Sequence, residues 1–293
     1  MLKTNEKQIV IEPYKITLEI GDKIIYDNQT VQYITNKNDL AFQGNVLITN
    51  EDSFYDSFKK IIGQENTLFK NDLINLKNKT RGCPIIIGGC GRSGTTLLSS
   101  VLGASKEVNC IDFETYAFYP KPYRLSLITN RIDNRIWCEK TPKNVLVFNE
   151  IFNLFDGNVK LIHIVRDGRD VITSKHPTDL SRYWVPLKRW IDDVSKGLEF
   201  KDKTLLIKYE DLVNNFNETM KKVCAYCDID FNENIVNFHK NTNVTDSYAW
   251  LGKVKPIYTN RVGKWKNHEH KEIIDKFYSN DRAVELLKYF GYK

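Results

Sequence analysis

"GGCGRSGTTLLSS", residues 88–100, decides the fold. It follows Pro84-Ile85-Ile86-Ile87, an apolar, β-branched run suited to a buried strand. It precedes a stretch that reads as a helix. Strand, glycine-rich turn and helix start, in that order, is how proteins hold phosphates on backbone N–H groups. The pattern G-x-x-x-x-G-K-[ST] fits from Gly89 to Gly94, but Thr95 stands where the lysine belongs. Such a loop lacks the group that reaches a γ-phosphate, so the anion it holds is the question. Gly88, Gly89, Gly91 and Gly94 let backbone approach that anion closely. Ser93, Thr95 and Thr96 add hydroxyl donors, and Arg92 adds a fixed charge with forked donors.

From Arg81 onward, strand-like runs alternate with helical ones. The pairs are 84–89 with 94–104, 135–140 with 142–155, 159–165 with 168–176, and 204–209 with 210–227. Apolar strands separated by helices imply a parallel sheet with right-handed crossovers. The expected fold is α/β, a P-loop-like three-layer sandwich with a central parallel sheet flanked by helices. Upstream, residues 9–50 alternate in the strand manner. "YKITLEIGDKIIYD", 14–27, reads as a hairpin turning at Gly21-Asp22, and 30–35 and 45–49 as further strands. Residues 52–62 and 66–78 have helical spacing. The division expected is an N-terminal β-rich and helical extension, 1–80, before a domain at 81–293 that carries every motif.

The chain has 293 residues, 41% apolar and 27% charged, with a net charge of +6. That suits an anionic small molecule and does not call for nucleic acid. No run approaches the roughly 18 apolar residues of a membrane helix. The polar start "MLKTNEKQIVIEP" has no signal-peptide core, so a cytoplasmic location is expected. The six cysteines are scattered. Cys224 and Cys227 sit at the end of an amphipathic helix, where packing is their expected role, and no metal site is expected.

A second anion site reads from "VKLIHIVRDGRDVITSK", 159–175. A strand ends in Arg166, a turn follows at Asp167-Gly168, and a helix carries Ser174. Arg166 and Ser174 are placed to converge on one phosphate. Alternatively, Arg166, Asp167, Arg169 and Asp170 form a surface ion-pair cluster. Two phosphate-binding strand ends in one sheet favour a ligand with two phosphate groups.

"GRSGTTLL" at 91–98, "VRDGRDVITS" at 165–174 and "LLIKYEDLV" at 205–213 together resemble the sulfotransferases that use 3′-phosphoadenosine 5′-phosphosulfate. The resemblance covers roughly residues 82–270. It is closer to the tyrosylprotein and bacterial branches, which have arginine at the Arg92 position, than to the cytosolic small-molecule branch, which has lysine. It implies that Gly91, Arg92, Ser93, Gly94, Thr95 and Thr96 hold the 5′-phosphosulfate, with Arg92 stabilising charge on the bridging oxygen. Arg166 and Ser174 then bind the 3′-phosphate, and Tyr209 lies near it or the adenine. "TNRVGKWKN", 259–267, resembles the late basic segment that closes over the nucleotide, making Arg261, Gly263 and Lys264 candidates.

The resemblance also implies the chemistry. Glu114, with Thr115 in "CIDFETYAF", matches a glutamate–threonine pair that serves as base, one residue out of register. Lys140 in "WCEKTPKN" matches a Lys-x-Pro lysine that reaches the transferred sulfonate. The cytosolic branch uses histidine as base, and His176 is the alternative here. His163 falls inside an apolar run and reads as core; His239, His268 and His270 read as surface. Tyr183 and Trp184 are candidates to line an acceptor cleft, while Trp190 reads as core. The implied acceptor is a hydroxyl or amine on a small molecule, carbohydrate or peptide, and the implied mechanism needs no metal. Two other readings stay open: an ATP- and Mg²⁺-dependent small-molecule kinase, which the threonine at 95 disfavours, and a non-catalytic nucleotide-binding module.

Overall fold

The computed structural model describes residues 72–119, 125–176, 179–247 and 252–293, together with six short strands between Leu2 and Ile48. The chain divides into two compact units, one of residues 1–78 and 122–130, the other of 79–121 and 131–293. The 122–130 segment thus groups with the N-terminal region rather than with the motif-bearing part.

In the first unit, Leu2–Thr4, Gln8–Ile11 and Ile16–Glu19 form an antiparallel sheet. Lys23–Tyr26 pairs instead with Thr30–Tyr33. The turn expected at Gly21-Asp22 lies outside the described residues. The described strands on either side of it, Ile16–Glu19 and Lys23–Tyr26, pair with Gln8–Ile11 and with Thr30–Tyr33 respectively. The helix expected at 52–62 and the first part of that expected at 66–78 lie outside the described residues.

The second unit is built on five parallel strands: β1 Ile85–Gly88, β2 Val108–Cys110, β3 Ile136–Lys140, β4 Lys160–Val165 and β5 Thr204–Lys208. Their order is β5-β4-β1-β3-β2. The apolar runs are buried because helices cover both faces. On one face, Ile85, Ile87, Ile162 and Ile164 meet Leu98, Val101 and Leu102 of α1 (Thr95–Leu102). Met220, Val223 and Cys224 of α6 (Phe216–Cys227) complete that layer. Burying each such side chain contributes roughly 1.5–3 kcal/mol. The C-x-x-C pair is part of this core, with both sulfurs free.

On the other face, Val165 packs with Val171 of α3 (Gly168–Ile172) and with Trp190 and Val194 of α4 (Leu187–Leu198). Phe277 of α7 (Lys271–Tyr278) and Leu286 of α8 (Asp281–Phe290) close the same cluster. Two further helices are α2 (Phe148–Leu154), entered through a 3₁₀ turn at Pro142–Val147, and α5 (Tyr209–Asn214). Helix α3 ends at Ile172, short of the expected 176, because Lys175–His176 pairs as a strand with Asp179–Tyr183. Ser174 therefore lies beyond the helix, not on it. Register brings Ile87 opposite Lys140 on one side and Ile162 on the other, so the ends of β1, β3 and β4 open at one edge. No helix of the described residues is long and apolar enough to cross a membrane.

Candidate active site

The loop after β1 wraps tightly against its neighbours. Gly94 has φ +94°, and a Cβ there would sit 2.6 Å from Cδ2 of Tyr209, so the position requires glycine on both counts. Arg92 itself has φ 71°, an uncommon conformation for a non-glycine residue that the surrounding contacts must hold. Ser93, Thr95 and Thr96 are buried, and Ser93 Oγ has no hydrogen-bond partner among the described residues. No acidic side chain occupies the first turn of α1.

Arg166 stands at the end of β4, buried, with its guanidinium 4.5 Å from the Tyr209 ring. Its Nη1 donates to the Arg92 carbonyl at 3.1 Å and its Nη2 to the Arg261 carbonyl at 2.5 Å. Its Nε is buried and without a hydrogen-bond partner among the described residues. The Arg92 guanidinium lies 5.0 Å over Trp184. Burial, then the charges of Arg166 and Arg261, push Arg92 down from 12.5 to about 10, leaving it protonated at neutral pH. The Arg92 and Arg166 side chains thus meet at the start of α1, with the Arg261 backbone bonded to Arg166 and the Arg261 charge acting on Arg92. The carboxylate beside Arg166 is Asp170, 3.5 Å away, and its oxygens already accept the N–H groups of Gly263 and Trp265. Such a cluster is an anion site. The buried Arg166 Nε and Ser93 Oγ are donors left for the anion's oxygens. The Ser174 hydroxyl donates to the Asp170 carbonyl at 2.8 Å.

Across the loop, Lys140 at the end of β3 pairs with Glu114, Nζ to Oε1 at 2.7 Å. The lysine side chain is 7% exposed and the glutamate 35%. The Tyr116 hydroxyl donates to Glu114 Oε2 at 3.2 Å, and burial followed by the Glu114 charge raises Tyr116 to about 12. Beneath this pair lies Glu139, wholly buried. Its Oε1 accepts the hydroxyls of Thr115 at 2.8 Å and Thr141 at 2.6 Å, and its Oε2 accepts Asn144 Nδ2 at 2.6 Å. Burial raises the Glu139 carboxyl above its usual range. The Thr141 hydroxyl in turn accepts the Tyr116 N–H at 3.2 Å. Glu139 therefore ties the Glu114-Thr115-Tyr116 segment to the end of β3. A carboxylate held beside an ammonium group, next to an anion-binding loop, can take a proton from an incoming hydroxyl.

Residues 123–233 match the model of the sulfotransferase family. Over that stretch the chain is similar to the sulfotransferase family. It is 25% identical over 260 residues to the protein-tyrosine sulfotransferase of Drosophila melanogaster, covering 71% of this chain and 52% of that protein. It is 25% identical over 169 residues to sulfotransferase 2A6 of Rattus norvegicus, covering 45% of this chain and 59% of that one. The match thus spans only a little over half the length of these relatives. Among solved structures, the sulfotransferase domain of the Synechococcus PCC 7002 olefin synthase shares the fold. Its TM-score is 0.51 at 17% identity, over 73% of this chain and 96% of that domain.

Set on this sulfotransferase fold, the sequence-derived candidates sort into two groups. Arg92, Ser93, Gly94, Tyr209, Arg166 and Arg261 come together around the start of α1, and Glu114 meets Lys140 at the end of β3. Lys264 is exposed, with no contact to this cluster described. The ion-pair reading of 166–170 is half right, but its site is interior rather than surface. Arg169 binds Asp167 at 2.7 Å, Tyr278 Oη at 2.6 Å and the Lys293 carbonyl at 2.7 Å, all scaffold contacts.

His163 is core as expected, held neutral by burial at about 3. His176 lies 5.0 Å from the Trp184 ring. His270, expected at the surface, is buried, its Nδ1 2.9 Å from Tyr183 Oη. The sequence reading missed Glu139 and Arg189, and had Asp170 only as a member of a surface ion-pair cluster. Arg189 lies 3.2 Å from where a Cβ on Gly91 would stand, anchored by Asp193 at 3.3 Å. Each looks in sequence like an ordinary charged residue of a strand end or helix.

Proposed function

We propose that this chain transfers a sulfuryl group from 3′-phosphoadenosine 5′-phosphosulfate to a hydroxyl or amine acceptor. The observation that carries the reading is the pairing of two devices on adjacent strand ends. One is an arginine-lined loop with threonine in place of the P-loop lysine; the other is the Lys140–Glu114 pair. The donor groups left over in the first device, Arg166 Nε and Ser93 Oγ, suit a ligand rich in anionic oxygens.

In this reading the backbone of 91–96 and Arg92 hold the 5′-phosphosulfate, and Arg92 and Lys140 share the charge that develops as the sulfuryl group leaves. Arg166 and Ser174 hold the 3′-phosphate, with Ser174 releasing its bond to the Asp170 carbonyl as it turns to the ligand. Tyr209 stacks on Arg166 and fixes its plane. Gly263 and Lys264 belong to the closing segment. Glu114 takes the acceptor proton, with Lys140 lending it to the reaction by moving from carboxylate to sulfonate. Catalysis is then mostly alignment plus electrostatic stabilisation. The donor is the sole dissociable cofactor in this scheme, and the acceptor is a small molecule, carbohydrate or peptide. A cytoplasmic location goes with the six free cysteines.

The test is a thermal-shift titration with adenosine 3′,5′-bisphosphate beside ATP with Mg²⁺. Stabilisation by the bisphosphate alone supports the reading. A response to ATP with Mg²⁺ alone replaces it with a kinase.

A further inference from the structure

Asp170 has no part in the chemistry just described, yet both of its carboxylate oxygens are engaged beside the arginine cluster. Its side chain is 1% exposed. Each oxygen accepts a backbone N–H from a segment more than ninety residues away: Oδ2 from Gly263 at 2.7 Å, Oδ1 from Trp265 at 3.0 Å. Hydrogen bonds to an ionised carboxylate are about twice as strong as neutral ones. The same segment is held again by Arg166, whose Nη2 donates to the Arg261 carbonyl and lies 3.5 Å from Asp170. Trp265 is pressed on the Arg169 guanidinium at 3.9 Å. Gly263, at φ +76° with open space where a Cβ would lie, makes the turn that aims two N–H groups at one carboxylate.

What this fastening delivers is Arg261. It is exposed, and close enough to Arg92 for the two charges to oppose each other. Left untethered, a third guanidinium has an electrostatic reason to leave a site that already holds Arg92 and Arg166. We propose that Asp170 is a positioning residue: a buried latch that holds segment 261–265 down before nucleotide arrives, so that Arg261 completes a preformed three-arginine site. The gain is preorganisation, since the ordering of the segment is done before binding. This deepens the reading above and rests on it for the identity of the nucleotide.

Two measurements test it. In Asp170→Asn the charge is lost and one acceptor oxygen becomes an N–H group facing a backbone N–H. Hydrogen exchange of the unliganded protein should show the 261–266 amides exchanging at least about tenfold faster, with Ile85–Gly88 unchanged. Calorimetric titration should show the affinity for adenosine 3′,5′-bisphosphate falling about tenfold in Asp170→Asn. Arg261→Ala should fall as far with its 261–266 exchange unaltered, because both N–H contacts remain. The double variant should be no weaker than the weaker single, since latch and delivered residue act as one unit. Unchanged exchange in Asp170→Asn, full affinity in Arg261→Ala, or strictly additive losses would each overturn the proposal. If the natural protein does not bind the bisphosphate, the nucleotide reading falls, and the exchange comparison alone then upholds or overturns the latch.

Discussion

Replacing Glu139 separates its charge from its hydrogen bonds. Glu139→Ala strands three buried donors, the hydroxyls of Thr115 and Thr141 and the Asn144 amide, now bound at 2.6–2.8 Å. At about 1–3 kcal/mol each, less what the hydroxyls recover by rotating, the loss is about 3–5 kcal/mol. Glu139→Gln keeps one oxygen for both threonines and sets its amide against Asn144. It loses one contact and sheds the cost of burying a charge, so its net cost is about 1 kcal/mol at pH 7.

The pH dependence supplies the check. The folded carboxyl is raised above its usual value by burial. Its contribution to stability is therefore largest below the unfolded value and is lost as pH rises through the folded one. Urea unfolding of the natural protein and both variants, from pH 7 down to pH 5, reads this directly. The gap between the natural protein and Glu139→Gln should widen as pH falls. A gap that narrows, or an alanine variant as mild as the glutamine one, would refute the account of Glu139 as a buried acceptor hub.

Four further outcomes follow from the same geometry. Arg166→Glu should abolish binding of adenosine 3′,5′-bisphosphate by calorimetry while the fold survives, because the residue stands beside Arg92 rather than in the apolar core; retained affinity would remove it from the nucleotide site. Glu114→Gln should lower single-turnover sulfuryl transfer by about 10²-fold or more, with donor affinity changed little, as expected of a general base. Gly94→Ala forces a side chain into φ +94° and to 2.6 Å from the Tyr209 ring, and should cost about 2–4 kcal/mol in urea unfolding. His163 is held at about 3 against 6.5 when unfolded, so stability present above pH 6.5 is lost as pH falls. Between pH 7.5 and pH 5 that is about 2 kcal/mol, a slope that His163→Leu should remove.

Strands β1, β3, β4 and β5 were legible in the sequence because each is a short, mostly apolar or β-branched run followed by helical spacing, although the edge strand β5 leaves Leu206 exposed. The phosphate loop was legible because backbone approach to an anion demands glycine, and anion charge demands arginine and hydroxyls, in a short contiguous stretch. Local chemistry of that kind is written where it acts. Strand β2 was not, since Val108–Cys110 is three residues and takes its identity from its pairing with β3. The end of α3 was not, because Lys175–His176 finds a strand partner that helical spacing cannot anticipate. Glu114 and Lys140 each carried a recognisable motif, but their ion pair depends on the crossover that brings residue 114 back over the end of β3. In sequence Glu139 is only a strand-end residue, and Asp170 reads as one member of a surface ion-pair cluster. Tertiary structure alone decided that both are buried and what each one holds, because a carboxylate's role is set by which donors surround it, and Thr115 for Glu139, like Gly263 and Trp265 for Asp170, comes from a segment tens of residues away.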